Sequence, residues 1–220
     1  MWKQKLLVVC LCALLFAAGL SRNQQAWEAG ADVQNEKKTV ALTFDDGPHC
    51  LYTERLLDGL KERNVKATFF LVGENIEYNE DLVKRMADEG HLIGNHTDSH
   101  AQLTQLSVKE ALNEIEKTNE RICRITGQEV DYIRPPYGCW SDELEEAVDM
   151  EVALWNVDPE DWKNKDTEKV VEEVEKYVDD GSVILMHDIF GTSVDAALEL
   201  IDHLKADGYE FVTVEELLIN

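Results

Sequence analysis

The segment Thr43-Phe44-Asp45-Asp46-Gly47-Pro48 closes an apolar run that begins at Val40. Residues 40–44 have the composition of a buried strand. Gly47 and Pro48 end that strand, because glycine adopts backbone angles closed to other residues and proline cannot continue a central strand. Two adjacent carboxylates therefore follow the carboxyl end of a strand, where α/β folds place their chemistry. Taken alone, the segment is equally typical of an Asp-Gly turn with two solvated acids.

Strand-like and helix-like stretches alternate over the rest of the chain. Most of the strand-like stretches are short and apolar throughout, as strands covered on both faces are. Seven such repeats predict an α/β fold with a parallel sheet of about seven strands. At this length a single deformed (β/α) barrel is favoured over an open sheet, although periodicity does not separate the two. Strands are predicted at 40–44, 66–71, 92–94, 131–133, 152–155, 183–186 and 210–212, and helices at 52–63, 80–89, 107–126, 142–149, 167–179, 193–206 and 214–218.

The first 38 residues differ from the remainder of the 220-residue chain. Lys3 and Lys5 precede an unbroken apolar run from Leu6 to Leu20, which is followed by polar residues. A basic start and a short apolar run predict a signal peptide over 1–19, and an uncleaved membrane anchor is the alternative. A polar tether over 20–38 and one domain over 39–220 follow. We therefore expect a secreted or cell-surface monomer.

The formal net charge is −24 at pH 7. This charge argues against nucleic acid and anionic membranes as partners, because both are negatively charged. Membrane contact is expected only through the N-terminal segment, if that segment is not cleaved. Three cysteines follow the leader, Cys50, Cys123 and Cys139, and their odd number indicates neither a disulfide framework nor a zinc-thiolate site. A bridge between Cys50 and Cys139 is a hypothesis, because each follows a motif that carries candidate site residues.

Two histidines four residues apart follow the predicted third strand in His96-Thr97-Asp98-Ser99-His100. If this segment forms a helical turn, both imidazoles lie on one face and can bind one cation. Two surface histidines are the alternative. With Asp45 or Asp46 at a neighbouring strand end, the set becomes two histidines and a carboxylate. Three protein ligands with an open position are typical of catalytic zinc-type sites.

A rigid segment, Arg134-Pro135-Pro136-Tyr137-Gly138, ends the predicted fourth strand. The two prolines hold the chain extended and remove two amide donors, so that the next free amide belongs to Tyr137. A fixed amide can donate to an oxyanion. Arg134 can hold a carboxylate through a two-pronged contact. A stiff turn with a surface arginine is the alternative.

Two further segments at strand ends carry candidate residues. Asp158-Pro159-Glu160-Asp161-Trp162 follows the fifth strand, where a simple turn with Trp162 covering the core is the alternative. His187 ends the sixth strand, and beside a metal site it is a candidate general acid, because imidazole titrates near neutral pH. No catalytic role is assigned to the three remaining histidines, His49, His91 and His203.

Taken together, these segments resemble the five ordered motifs of the polysaccharide deacetylases, carbohydrate esterase family four. The resemblance covers about residues 39–216, with every motif in order. The motifs are Thr43-Phe44-Asp45-Asp46-Gly47-Pro48, His96-Thr97-x-x-His100, Arg134-Pro135-Pro136-Tyr137-Gly138, Asp158-x-x-Asp161-Trp162 and Leu185-x-His187.

The resemblance implies a deformed (β/α) barrel and a divalent metal held by Asp46, His96 and His100. Zinc is the metal expected, with cobalt or manganese as alternatives. It also implies that Asp45 is the general base and His187 the general acid. The residue spacing does not say which of the two adjacent acids takes which role.

Supporting roles also follow from the resemblance. It implies that Arg134 holds the catalytic base, that Asp161 orients the catalytic acid and that the Tyr137 amide is an oxyanion donor. The pocket for the acetyl methyl group is implied to be lined by Pro136, Trp162 and Leu185.

The implied function is hydrolysis of N-acetyl groups on a polysaccharide that contains N-acetylglucosamine, with release of acetate. Peptidoglycan and chitin-like chains are the expected substrates. The alternatives are an acetylxylan O-deacetylase, whose catalytic core would look the same, and a secreted carbohydrate-binding protein without turnover.

Overall fold

The computed structural model describes residues 37–219. This part of the chain contains seven parallel strands, each followed by a helix or turn. The strands are β1 (Thr39–Asp45), β2 (Thr68–Leu71), β3 (Leu92–Asn95), β4 (Tyr132–Ile133), β5 (Glu151–Val152), β6 (Ser182–His187) and β7 (Glu210–Val212). They lie in the order β5-β4-β3-β2-β1-β6, and β7 pairs with the first residues of β1. The predicted signal peptide and nearly all of the tether fall outside the described residues.

The sheet curls round so that its two ends meet. An isolated parallel bridge joins Val157, in the segment after β5, to Ile184 in β6. The Val157 amide donates to Val183 at 3.2 Å, and Leu185 donates back to the Val157 carbonyl at 2.9 Å. The predicted deformed (β/α) barrel of seven parallel strands is therefore confirmed. Its irregularity comes from the two-residue strands β4 and β5.

The two faces of β1 have different surroundings. Val40, Leu42 and Phe44 pack into the large core beneath the helices. Ala41 belongs to a separate cluster inside the barrel, together with Phe70 of β2. Because side chains alternate along a strand, Asp45 shares the inner face with Ala41. The carboxylate that ends β1 is thereby directed into the barrel mouth.

Nine helices surround the strands in the described residues: α1 (Tyr52–Arg63), α2 (Gly73–Ile76), α3 (Glu80–Asp88), α4 (Val108–Thr126), α5 (Asp142–Ala147), α6 (Asp161–Asn164), α7 (Thr167–Tyr177), α8 (Gly191–Ala206) and α9 (Val214–Ile219). The seven predicted helices are present with shifted ends. The single turns α2 and α6 were not predicted, because four residues show no helical period. Helix α4 begins with a capping box formed by Ser107 and Glu110 and ends at Gly127, whose φ is 71°.

The fifth strand is shorter than predicted. Residues 153–155 are not part of the sheet. The carbonyl groups of residues 153 and 154 accept hydrogen bonds from the Arg134 guanidinium and not from the backbone of a neighbouring strand. Its Nε donates to the Ala153 carbonyl at 2.8 Å, and its Nη2 donates to the Leu154 carbonyl at 3.2 Å. Buried carbonyl groups must find a donor, and here the side chain of the residue that follows β4 supplies it.

The structure does not contain the hypothetical Cys50–Cys139 bridge. Cys50, Cys123 and Cys139 are all free thiols. Between residues 37 and 219, no helix combines the length and the apolar character needed to cross a membrane.

Candidate active site

A cavity of about 450 Å³ opens at the carboxyl ends of the strands. Asp45 and His187 face each other across the β1–β6 pairing, where they are register partners. The fold thus brings together predicted residues from all five motifs. The residues that line the cavity are Asp45, Asp46, His96, His100, Tyr137, Trp155, Asp158, Trp162, Leu185, His187 and Phe190.

Three of these residues form a cluster that could hold a cation. Asp46 Oδ1 lies 3.4 Å from His96 Nε2 and 3.3 Å from His100 Nε2. One donor atom from each residue lies within 4.8 Å of the other two. Asp46 Oδ1 is buried, yet it has no hydrogen-bond partner among the described residues. A buried carboxylate oxygen without a donor is costly, and a cation between the three groups would satisfy it.

The protonation of the histidines also suits a metal. His96 Nδ1 lies 2.6 Å from the Arg134 carbonyl. A carbonyl can only accept, so His96 carries its proton on Nδ1 and turns the Nε2 lone pair towards Asp46. Burial lowers the pKa of His100 below its usual value, against the attraction of Asp46, so this imidazole is neutral at pH 7. Metal ligation requires neutral imidazoles, and the three residues therefore fit a divalent cation.

The two histidines do not meet through the helical turn that the sequence analysis considered. Residues 96–100 form a loop without helix. Thr97 and His100 have φ values of 66° and 58°, and the two rings lie with centroids 5.0 Å apart. Two left-handed residues, rather than one helical turn, bring the imidazoles together.

The adjacent acids Asp45 and Asp46 have different surroundings. Asp45 is almost fully buried, and its Oδ1 accepts from Arg134 Nη1 at 2.9 Å. Asp46 lies beyond the strand with a φ of 72°, so both carboxylates face one cavity. Burial would raise the pKa of Asp46, but the neighbouring His96, His187 and His100 lower it below its ordinary value.

Arg134 lies inside the barrel, fully buried, and is not a surface residue. Its guanidinium lies over the Phe70 ring at 4.2 Å, and Nη1 also donates to Thr43 Oγ1 at 2.6 Å. Only one of its nitrogens reaches Asp45, so the expected two-pronged contact is wrong. The other nitrogens bind the backbone carbonyls after β5, as described above. Arg134 thereby connects the candidate base to the barrel wall.

His187 forms a pair with Asp161. His187 Nδ1 lies 2.7 Å from Asp161 Oδ1, and the His187 amide donates to Oδ2 at 2.9 Å. Since a carboxylate only accepts, the proton stays on Nδ1 and Nε2 remains available to the cavity. Burial alone would lower the pKa of His187, but the hydrogen bond and charge of Asp161, with the charges of Asp45 and Asp46, raise it to about 9.

The remaining predicted residues fall into two groups. Tyr137 is 65% exposed with a φ of 62°, and it lines the cavity with its ring centroid 5.0 Å from that of His100, in a T-shaped arrangement. Leu185 and Trp162 also line the cavity. Pro136 does not; it is buried, because the left-handed turn at Tyr137 puts the tyrosine at the cavity instead. That Pro136 belongs to the pocket for the methyl group stays a prediction.

Sequence reasoning missed two aromatic residues of the cavity, Trp155 and Phe190. Trp155 is the last residue of the predicted fifth strand and Phe190 follows the sixth, so position near a strand end was the available signal. It also missed Asp188, a completely buried carboxyl directly behind Gly47. Asp188 Oδ2 accepts from the Thr53 hydroxyl, whereas Oδ1 has no hydrogen-bond partner among the described residues.

Asp188 predicts a measurable pH dependence of stability. Burial raises its pKa to about 7, with smaller effects from Thr53, Asp46 and His187. Between pH ~4 and that value the folded state keeps a proton that the unfolded state has released, so the free energy of unfolding falls as pH rises. As pH rises over this range, the free energy of unfolding of the metal-free wild-type protein should fall by up to roughly 4 kcal/mol relative to that of Asp188→Asn.

Urea unfolding of both proteins at pH 4, 5.5 and 7, with chelator present, measures this difference. Asp207→Asn is the control, because Asp207 is exposed. A difference between wild type and Asp188→Asn that does not change with pH would contradict the prediction.

The polysaccharide deacetylase family model matches residues 32–155. Peptidoglycan-N-acetylmuramic acid deacetylase PdaC from Bacillus subtilis is 47% identical over 185 residues, which are 84% of this chain and 40% of PdaC. A peptidoglycan-N-acetylglucosamine deacetylase from Bacillus cereus is 44% identical over 188 residues, 82% of this chain and 68% of that protein. This chain thus spans less than half the length of PdaC.

Solved structures agree with these relatives. The structure of PdaC matches with a TM-score of 0.81 at 47% identity, covering 83% of this chain and 90% of that one. A family 4 acetyl xylan esterase from Clostridium thermocellum, in complex with a cobalt ion, matches with a TM-score of 0.79 at 36% identity, covering 83% and 91%.

A barrel that carries an Asp–His–His cluster beside a buried acid and a histidine–aspartate pair is typical of metal-dependent hydrolases. With the family model matching more than half of it, the chain belongs to the polysaccharide deacetylase family.

Proposed function

We propose that this protein is a secreted, metal-dependent deacetylase that hydrolyses N-acetyl groups of peptidoglycan or a chitin-like chain and releases acetate. The observation that carries the proposal is the unpartnered, buried Asp46 Oδ1 between two imidazoles, in the same cavity as Asp45 and His187. The relatives from Bacillus subtilis and Bacillus cereus are peptidoglycan deacetylases, which favours peptidoglycan over other polysaccharides. The predicted leader over 1–19 supports export to the cell surface, where the protein acts as a monomer.

Asp46, His96 and His100 would hold the metal, for which zinc is proposed. A divalent cation there would lower the pKa of the attacking water far below that of bulk water and would polarise the amide carbonyl. Asp45 accepts the proton that the attacking water gives up. Arg134 orients this base through the 2.9 Å hydrogen bond, and the other guanidinium contacts prevent it from moving.

The leaving group is an amine, which departs only after it gains a proton. His187, with its pKa raised to about 9, carries a proton at neutral pH and faces the cavity. Asp161 keeps the ring in position through Nδ1, so Nε2 donates to the amine nitrogen. The Tyr137 backbone amide donates to the developing oxyanion, a contribution of roughly 3 kcal/mol for a donor of this kind.

The acetyl group and the sugar ring would contact the apolar wall of the cavity. Leu185 and Trp162 line the position proposed for the methyl group. Tyr137 and Trp162 are 65% and 48% exposed, so their rings can also contact the sugar at the cavity mouth. An aromatic wall of this kind suits a neutral pyranose ring.

Acetate release from a substrate panel tests the proposal. Purified protein is incubated with chitooligosaccharide, peptidoglycan and acetylxylan, as prepared, after chelation, and after addition of Zn²⁺ or Co²⁺. We expect acetate from the N-acetyl substrates, loss on chelation, and recovery with metal. Analysis of the peptidoglycan product for glucosamine and muramic acid identifies which sugar is deacetylated.

The alternatives predict different results. Acetate from acetylxylan alone would identify an O-deacetylase, which the similarity to the Clostridium thermocellum acetyl xylan esterase keeps as a second candidate. Absence of acetate from every substrate with metal-loaded protein would overturn the proposal and favour a carbohydrate-binding protein without turnover.

A further inference from the structure

The loop that carries the two histidines has an unusual backbone. Thr97 and His100 are left-handed, at φ 66° and 58°. L-residues avoid this region, and a β-branched threonine avoids it most strongly. Such a conformation persists only where surrounding contacts impose it.

Helix α4 holds the loop from the side opposite the cavity. Asp98 is only 4% exposed, and its Oδ1 accepts from Arg121 Nη1 at 2.6 Å. Lys117 Nζ lies 3.2 Å from the second oxygen of Asp98. One turn away, Glu114 Oε2 accepts from the Ser99 amide at 2.8 Å and the Ser99 hydroxyl at 2.9 Å. Residues 114, 117 and 121 lie on one helix face, so α4 presents a continuous polar edge to the loop.

Helix α2 contacts the same loop through its amino end. The Gly73 amide donates to the Thr97 carbonyl at 2.9 Å, and the Glu74 amide donates to the Asp98 carbonyl at 2.8 Å. A side chain at position 73 would collide with Asp98, since an added Cβ would lie 2.6 Å from its Oδ1. The backbone is therefore bound on one side, and the side chains of residues 98 and 99 are bound on the other.

We propose that Arg121 and Glu114 are positioning residues that set the spacing of His96 and His100 for metal binding, acting through Asp98 and Ser99. Neither residue lines the cavity. Without these contacts the left-handed residues would relax, and the His100 imidazole would leave the position facing Asp46. The inference rests on the proposed metal site, but it does not depend on the reaction catalysed there.

The Zn²⁺ affinity of Arg121→Met, measured by competition with a chromophoric chelator, tests the proposal. Methionine keeps an unbranched apolar side chain at a largely buried position and removes the charge. We expect the dissociation constant to rise roughly 10–100-fold, the usual effect of removing a group that orients a ligand. Arg121→Lys should recover part of the loss. Arg124→Met is the matched control on the exposed face of α4 and should bind as wild type does.

Melting curves with and without Zn²⁺ separate positioning from folding. If Arg121 serves the fold alone, the metal-free variant melts at a lower temperature, while the Zn²⁺ affinity stays unchanged; that result would overturn the proposal. Should Arg121→Met fail to fold, Ser99→Ala removes one loop contact, and a few-fold weaker affinity is expected. Unchanged affinity in that variant would also contradict the proposal.

The same measurements separate this inference from the proposed function. Wild-type protein that binds Zn²⁺ tightly but releases no acetate would overturn the reaction and leave the role of Arg121 intact. Wild-type protein without Zn²⁺ affinity would overturn both.

Discussion

His187→Ala should lower kcat for N-acetyl hydrolysis by ~10²–10⁴-fold, the usual contribution of a general acid. The physical reason is the leaving amine, which is a poor leaving group until it is protonated. His187 carries a proton on Nε2 at neutral pH because the Asp161 carboxylate, 2.7 Å from Nδ1, helps to raise the imidazole pKa to about 9 against the effect of burial. The substitution removes none of the three metal ligands, so metal content should remain at the wild-type level. Acetate release and metal analysis of the same preparation measure both quantities.

A second variant tests the role of the hydrogen bond between His187 and Asp161. Asp161→Asn removes the negative charge that raises the pKa of His187 against the effect of burial. The pKa of His187 should fall, so the alkaline limb of the kcat–pH profile should move to lower pH. This direction follows because the acid must be protonated to act, and it loses its proton earlier in the variant.

The control is His203→Ala, because His203 is an exposed histidine paired with Glu175 on the surface, and its loss should change neither rate nor profile. Near-normal turnover by His187→Ala would show that another group protonates the amine. An unshifted alkaline limb in Asp161→Asn would show that His187 is not the group that titrates there.

His96→Ala should abolish activity by removing the metal. Loss of a ligand should weaken binding by more than the 10–100-fold that loss of an orienting group costs. Asp46 Oδ1 would then have only His100 beside it, at 3.3 Å. We expect no stoichiometric Zn²⁺ after dialysis and a rate near background. Metal analysis and acetate release after dialysis measure this.

His100→Ala accompanies this variant, because His96 also donates to the Arg134 carbonyl and its loss leaves that buried group unpaired. His100 is about one third exposed, so its removal disturbs the fold less. Both variants should lose metal. Retention of tightly bound Zn²⁺ by either folded variant would contradict the assignment of that histidine as a ligand.

The sequence predicted more of the strand ends than of the loops. All seven strands were predicted, because each is an apolar run between turn signals. The helix predicted over 107–126 matches α4 within one residue at each end. The predicted end of the fifth strand was wrong because the carbonyls of residues 153 and 154 bind the side chain of Arg134, which follows β4. Local pattern carries no information about that contact.

Prediction of the site was limited in the same way, because local pattern does not show contacts between distant residues. Asp46, His96 and His100 were recognised as a set, but the histidines are joined by a loop with two left-handed residues, not by the helical turn that was considered. The conformation of that loop depends on contacts with α4 and α2, whose residues are distant from the loop in sequence. Pro136 was placed in the pocket because it belongs to a motif, and local pattern did not show that the residue is buried.

By itself, the sequence determined the alternation of strands and helices and the position of each chemical group at a strand end, since both follow from local composition and period. Local pattern did not say which groups meet; the family resemblance implied the pairs, and the tertiary structure decides through which contacts they meet and how they are protonated. Arg134 reaches Asp45 across 89 positions of sequence, and Asp161 reaches His187 across 26. Curling the parallel sheet carries all strand ends to one mouth, where burial and hydrogen bonds between distant residues set orientation and charge.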